Sequence, residues 1–168
     1  MSTSKSNMSD LGQSLYAMAE QLIALENRMK TLEEGKTKVA FSALIEKGGA
    51  YGPFNTDVTL AFNKVFTNIG DAYKSCTGIF TAPVTGVYYF TFFYHAGGKH
   101  ASLLRLFKNS EMIVRSSDHQ TGSDTADNGG NAVVLQLQQG DQVYVRMPAN
   151  HHVWAAENHT SFSGFQIS

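Results

Sequence analysis

The sequence predicts an all-β sandwich preceded by a short α-helical coiled coil. Three observations carry that expectation: an unbroken apolar heptad near the amino end, a long remainder in which β-prone runs alternate with turn residues, and one aromatic run that is bulky on both faces.

Leu11, Leu15, Met18, Leu22, Leu25, Met29 and Leu32 follow a four-three spacing without a miss. Leu15, Leu22 and Met29 then fall at heptad position a, and Leu11, Met18, Leu25 and Leu32 at d. A stripe this narrow buries little surface on a lone helix of about 22 residues, roughly 33 Å long. The helix is therefore expected to associate with copies of itself, the alternative being that it packs on its own head. Arg28 at g and Glu33 at e can pair between helices, the arginine stem covering the adjacent core layer. The segment from Arg28 to Glu33 also resembles a motif of short three-stranded coiled coils, which implies three copies. Residues 1–10 are polar and are read as disordered or expression-derived, residues 11–34 as a trimeric stalk. Gly35 ends the helical pattern, and the head spans residues 37–168.

Within the head, Lys38 to Ile45 is β-prone, and further strands are expected at 64–69, 78–82, 86–96, 101–107, 111–117, 131–138, 142–148 and 161–167. Turn signals separate them at Gly48-Gly49, Gly52-Pro53, Gly97-Gly98, Gly129-Gly130, Gly140-Asp141 and Pro148. Many short strands without helical periodicity mean a sandwich. From Val87 to His95 the chain reads VYYFTFFYH, so period two puts Tyr88, Phe90, Phe92 and Tyr94 on one face and Tyr89 and Phe93 on the other. A strand with one wet face would alternate apolar with polar, so this one is expected to be covered twice. Its second cover is either another subunit or a loop folded over the sheet.

Phe62, Asn68, Tyr73, Phe80, Gly86, Tyr88, Phe90 and Phe92 stand at spacings that resemble the signature of the globular head of complement component 1q, a family sharing the tumour-necrosis-factor jelly roll. The phrases FTAPVTGVYYF from Phe80, LQQGDQVYV from Leu137 and TSFSGF from Thr160, which contains Phe162 and Phe165, extend the likeness over roughly residues 37–168. The resemblance implies a ten-strand jelly roll whose first and last strands are neighbours, a homotrimer with the stalk at its base, and a binding role without catalysis. No collagen-like triplet run occurs, which moves the likeness toward cerebellin-like proteins and the expanded fish and invertebrate members. Cerebellins carry amino-terminal cysteines that join trimers. None stands there in this sequence.

Composition narrows the partners. A net charge of −1 over 168 residues offers no basic footprint for nucleic acid, and no apolar run reaches the roughly 20 residues that span a bilayer. The amino end lacks a signal peptide's apolar stretch, which leaves a mature secreted fragment or a cytosolic protein, and the resemblance favours secretion. Cys76 is the only cysteine, so no internal disulfide forms. Asn158-His159-Thr160 and Asn7-Met8-Ser9 fit the glycosylation acceptor pattern.

No nucleophile elbow, phosphate loop or zinc-protease helix is present in the sequence, and His151-His152, adjacent in a loop, makes a poor zinc pair. Oxygen ligands are better supplied. Asp118, Asp124 and Asp127 crowd the stretch SSDHQTGSDTADNGGN, and calcium takes six to eight oxygens. In adiponectin and short-chain collagens an aspartate ten residues before the leucine of the next strand binds calcium, and Asp127 stands ten before Leu137. The family's second aspartate falls at His119, beside Asp118, which departs from the pattern. Arg105, Arg115 and Arg146, lying in apolar strands, are candidate ligand-binding residues, with Tyr144 as an aromatic contact and Trp154 as packing. The expected function is a secreted homotrimeric recognition protein for a cell-surface receptor or glycan, as in innate immunity. The alternative is a structural or carrier oligomer, or a synaptic or hormone-like ligand.

Overall fold

The computed structural model describes residues 2–34, 38–97, 99–120 and 127–167, with helix side chains described for residues 11–30. The chain divides into two compact units, one holding the helix α1 (Ser2–Glu34) and the other beginning at Lys38. Helix α1 starts earlier than expected. Residues 2–10, read above as disordered, continue it, because extending a formed helix adds one hydrogen bond per residue whereas nucleation is the costly step.

The second unit is a sandwich of two antiparallel sheets. One has five strands in the order β10 (Asn128–Leu137), β7 (Gly86–His95), β13 (Ser161–Gln166), β1 (Ala40–Leu44) and β4 (Lys64–Ile69). The other runs β5 (Tyr73–Lys74), β6 (Ile79–Thr81), β11 (Gln142–Met147), β8 (Ser102–Lys108) and β9 (Glu111–Asp118), with β3 (Val58–Thr59) pairing beside β11. A small ladder joins β2 (Ala50–Tyr51) to β12 (Val153–Trp154). As expected for a jelly roll, the first and last strands are neighbours, in register from Ala40↔Phe165 to Leu44↔Ser161. The described residues form thirteen strands; the two-residue ladders β2, β3, β5 and β12 have too little sequence to show a period, and without them nine remain, one for each β-prone run read from the sequence.

The eight-position spacing is explained by the core. Tyr73 is buried between the sheets, and its hydroxyl both accepts from the Phe62 N–H at 3.0 Å and donates to the Phe62 carbonyl at 3.1 Å. The Asn68 amide closes the other end of the same residue, donating to the Tyr73 carbonyl at 3.0 Å and accepting from its N–H at 3.2 Å. Two side chains thus satisfy four backbone groups that no ladder serves, a need that buried chain always has to meet. Phe41 lies at the centre of the aromatic cluster, stacked on Tyr73 at 4.7 Å and edge-on to Phe162 at 4.8 Å. Phe80 meets Phe90 at 5.1 Å and Tyr88 at 5.6 Å in T-shaped pairs, the geometry the ring quadrupole prefers. Phe62, Phe80, Tyr88, Phe90, Phe92 and Phe162 are all fully buried. Gly86 opens β7 opposite Leu137.

Gly129 and Gly130 are not the turn they were expected to be. They lie inside β10 opposite Tyr94 and Phe93, and a first side-chain carbon at either would sit 2.4 Å from the facing ring. Glycine here makes room for aromatic rings across the ladder. Tyr144 also differs: it is buried, its hydroxyl donating to the Asn109 carbonyl at 2.7 Å, so it offers no free surface contact. Trp154, expected as packing, is half-buried.

Candidate functional site

Strand β7 is covered on one face only. Tyr88, Phe90, Phe92 and Tyr94 enter the core, while Tyr89, Thr91 and Phe93 stand on the outer face of the five-stranded sheet, with Phe93 54% exposed. Strand register aligns that face into rows. Val134, Tyr89, Phe165, Ala40 and Ile69 are successive cross-strand partners from β10 to β4, an apolar row spanning the sheet. At about 4.8 Å between strands this row is roughly 19 Å long. Tyr89 and Phe165 touch within it, ring centroids 5.3 Å apart, and Phe165 is still 47% exposed. Beside it runs a row of small groups, Ala132, Thr91, Ser163, Ser42 and Thr67, in which the Ser163 hydroxyl donates to Ser42 at 2.9 Å. Neither row carries a formal charge, and a wet sheet face normally does.

The helix shows the same incompleteness by itself. Leu11, Leu15, Met18, Leu22, Leu25 and Met29 are each between 56% and 61% exposed. The side chains of Leu32 and Glu33 lie outside the described ones, so the Arg28–Glu33 pair is an expectation only.

The opposite sheet carries a charged row on its outer face. Arg146 in β11 is the partner of Arg105 in β8, which is the partner of Arg115 in β9. The Arg146 guanidinium lies over Phe107 at 5.1 Å and Tyr144 at 5.3 Å, two rings that stack nearly parallel. Among the described residues none of the three arginines has an ion pair.

Residues 40–167 match the C1q domain family. The chain belongs to that family. A caprin-2 protein of Danio rerio is 34% identical over 131 residues, and one of the polypeptides of the Homo sapiens complement C1q subcomponent is 33% identical over 134. Each alignment covers 77% of this chain but only 14% and 50%, respectively, of the relative. The chain thus spans half the length of one curated relative and far less of the other. The globular domain of a zebrafish complement 1qA protein superimposes with a TM-score of 0.62 at 27% identity, covering 78% of this chain and 98% of that one. Murine APRIL, at 12% identity and a TM-score of 0.61 over 77% of this chain and 99% of its own, shares the fold.

The expected calcium residues of this C1q domain are partly described. Asp118 ends β9, Asp127 precedes β10, and both carboxylates act on the buried Tyr94 hydroxyl. Burial is the main cause holding the Tyr94 pKa above its usual value; Ser116 lowers it, and the two aspartates add to the rise. That hydroxyl has no partner in good hydrogen-bond geometry. Asp124 lies outside the described residues, and among those described no group of three acidic, histidine or cysteine side chains closes a metal set. Asn158 is exposed in a turn, where its side-chain amide oxygen Oδ1 accepts from Lys64 Nζ at 3.3 Å. Among the described residues no helix is long and apolar enough to cross a membrane.

Sequence reasoning put Tyr89 and Phe93 on the second face, named Phe165 without a face, and missed Val134 and Ile69, and it gives the arginines only singly. The alternation in AVVLQLQ, with Val133, Leu135 and Leu137 turned inward and Val134 outward, was the available signal. Cross-strand register held the remainder. It also missed Tyr16 and Ile23, exposed on the helix outside the seam.

Proposed function

We propose that this chain is a secreted homotrimeric recognition protein whose C1q heads bind a cell-surface receptor, a glycan or another target multivalently, in a setting such as innate immunity. The observation that carries the reading is the apolar row from Val134 to Ile69, with Phe93 beyond the row of small groups, on a sheet face that one chain leaves open. Covering about 19 Å of apolar sheet by a copy of the chain removes it from water, which is the main favourable term in association. The heptad seam of residues 11–34 supplies a second association surface, independent of the first. Three linked heads then raise the effective concentration of each remaining site once one has bound, so weak contacts add into tight attachment. Nothing in either face is arranged as a nucleophile with its base, and the reading is one of binding rather than catalysis.

Calcium belongs to this proposal. Asp118 and Asp127 supply two carboxylates near one orphaned hydroxyl, short of the six to eight oxygens calcium takes, and copies brought together around an axis would supply more. Millimolar calcium is expected to raise the melting temperature and a chelator to lower it; superimposable melting curves remove calcium from the scheme.

Light scattering on the full chain tests the assembly. Three times the 18.4 kDa chain mass is expected, and binding to a receptor or glycan array is expected to weaken sharply when assembly is broken. A monomer at micromolar concentration would overturn the proposal.

A further inference from the structure

Arg146 is held over Phe107 and Tyr144, but nothing within the head accounts for Arg105 and Arg115 standing in line with it. Arg146, Arg105 and Arg115 are direct cross-strand partners, so three positive charges stand side by side across β11, β8 and β9. Cross-strand neighbours lie about 4.5–5.5 Å apart at Cα, and like charges placed directly opposite destabilise a sheet. Among the described residues no carboxylate relieves them: Lys108 takes Asp141 at 3.1 Å, Lys64 takes Glu46, and the arginines take neither. Arg105, in the middle, is half-buried, and its Nε is buried without a hydrogen-bond partner. That Nε is out of reach of solvent, so the outer guanidinium nitrogens are what Arg105 can offer an external anion, and three uncompensated cations in line favour one.

We infer that this row binds a linear sulfated polysaccharide, which names a ligand class for the recognition role proposed above and rests on it only for avidity. A guanidinium presents its donors as a planar fork that fits an oxyanion with two parallel hydrogen bonds. Three forks across two strand gaps make a strip roughly 10 Å long, which suits a chain carrying repeated anionic groups better than one small anion. The orientation of the strip selects among polyanions. At β9, the last strand of its sheet, the Asn131 amide already donates to the Arg115 carbonyl at 3.0 Å, and a peptide added along that edge would meet Arg115 alone, whereas a peptide crossing the strands would lay unpaired amide groups on a flat surface. A single-stranded nucleic acid gains much of its affinity by stacking bases on aromatic rings. Here Phe107 and Tyr144 face each other at 5.5 Å and Arg146 covers them, so no such platform is offered. A sulfated glycan needs neither an amide partner nor a ring face.

Heparin serves as the probe, with the 168-residue chain on the surface and salt titrated. Wild-type protein is expected to bind heparin with strong salt dependence, and the R105Q/R115Q/R146Q variant to bind at least about tenfold more weakly, with the salt slope reduced by about one for each arginine removed. The R105K/R115K/R146K variant, which keeps the charges and loses the forks, is expected to fall between them. R115Q alone, at an exposed position, gives a measurable partial loss if the triple variants fail to fold. Equal heparin affinity in wild type and R115Q or the triple variant overturns the inference. So does arginine-dependent binding that is as tight for unsulfated hyaluronan, poly-L-glutamate, a thymidine oligonucleotide or phosphatidylserine vesicles. Mass measured on the same samples separates the two readings: a monomer that still binds heparin through the arginines removes the trimer and leaves this site standing.

Discussion

Replacing Phe93 by serine is the sharpest perturbation of the open sheet face, because it removes an aromatic ring that the head itself only half covers. Phe93 is 54% exposed in the single chain. An aromatic side chain offers about 150–250 Å² to its surroundings, so roughly 100 Å² of this ring awaits a neighbour. At about 25 cal/mol per Å², covering it contributes about 2.5 kcal/mol per copy, or roughly 7 kcal/mol for three. That loss lowers the trimer association constant by about five orders of magnitude. The dissociation midpoint varies as the square root of that constant, so it is expected to move to several-hundredfold higher concentration. The assay is light scattering over a dilution series of the full chain, with Leu22→Asn introduced in both proteins so that the heptad seam does not hold the copies together. The part of the ring that the head already covers, over Gly130, contributes about 2 kcal/mol to the head on the same accounting, so the urea midpoint of the monomeric head is expected to fall while the head stays folded. A trimer-to-monomer midpoint shifted by less than about threefold would refute the idea that this face is the interface.

Tyr73→Phe removes the hydroxyl that serves both Phe62 backbone groups without opening a cavity, and is expected to cost about 2–4 kcal/mol in urea unfolding; a change under about 0.5 kcal/mol would show that the clamp is incidental. Gly164→Ala drives a carbon to 2.5 Å from the Phe90 ring and 2.8 Å from Phe41, so a loss of about 1–3 kcal/mol is expected, and unaltered stability would mean the rings have room to move. His152 is buried, and burial first, then the neighbouring His100, holds its pKa below the usual 6.5 against the pull of the Ala96 and His100 carbonyls. The unfolded chain therefore binds the proton more readily than the folded head, and stability is expected to be insensitive to this group above about pH 6.5 and to fall as pH drops from there towards the depressed value. His152→Asn is expected to flatten that slope in unfolding measured from pH 7.5 to 5, and an unchanged slope would assign the acid sensitivity elsewhere.

Several residues show why some of this is legible in advance and some is not. The Phe62–Asn68–Tyr73 spacing can be read because the clamp binds residues close in sequence, so its geometry fixes their separation. The two faces of β7 can be read because alternation is a local property of an extended chain. Gly129 and Gly130 look like a turn because the reason for glycine there is a pair of rings that stand far away in sequence, across the ladder. The carboxylates near Tyr94 are half-legible: crowding in one segment is visible, whereas the hydroxyl they share comes from another strand.

The sequence by itself determined the heptad seam, most strand positions and the buried aromatic set, since these depend on residue type and on periods of about 3.5 and 2 along one chain. Only the tertiary structure decided that Val134, Tyr89, Phe165, Ala40 and Ile69 form one continuous apolar row, and that three scattered arginines stand in line on the other side of the sandwich. Both facts are matters of register between strands far apart in sequence, and a shift of one residue would send every one of those side chains to the opposite face.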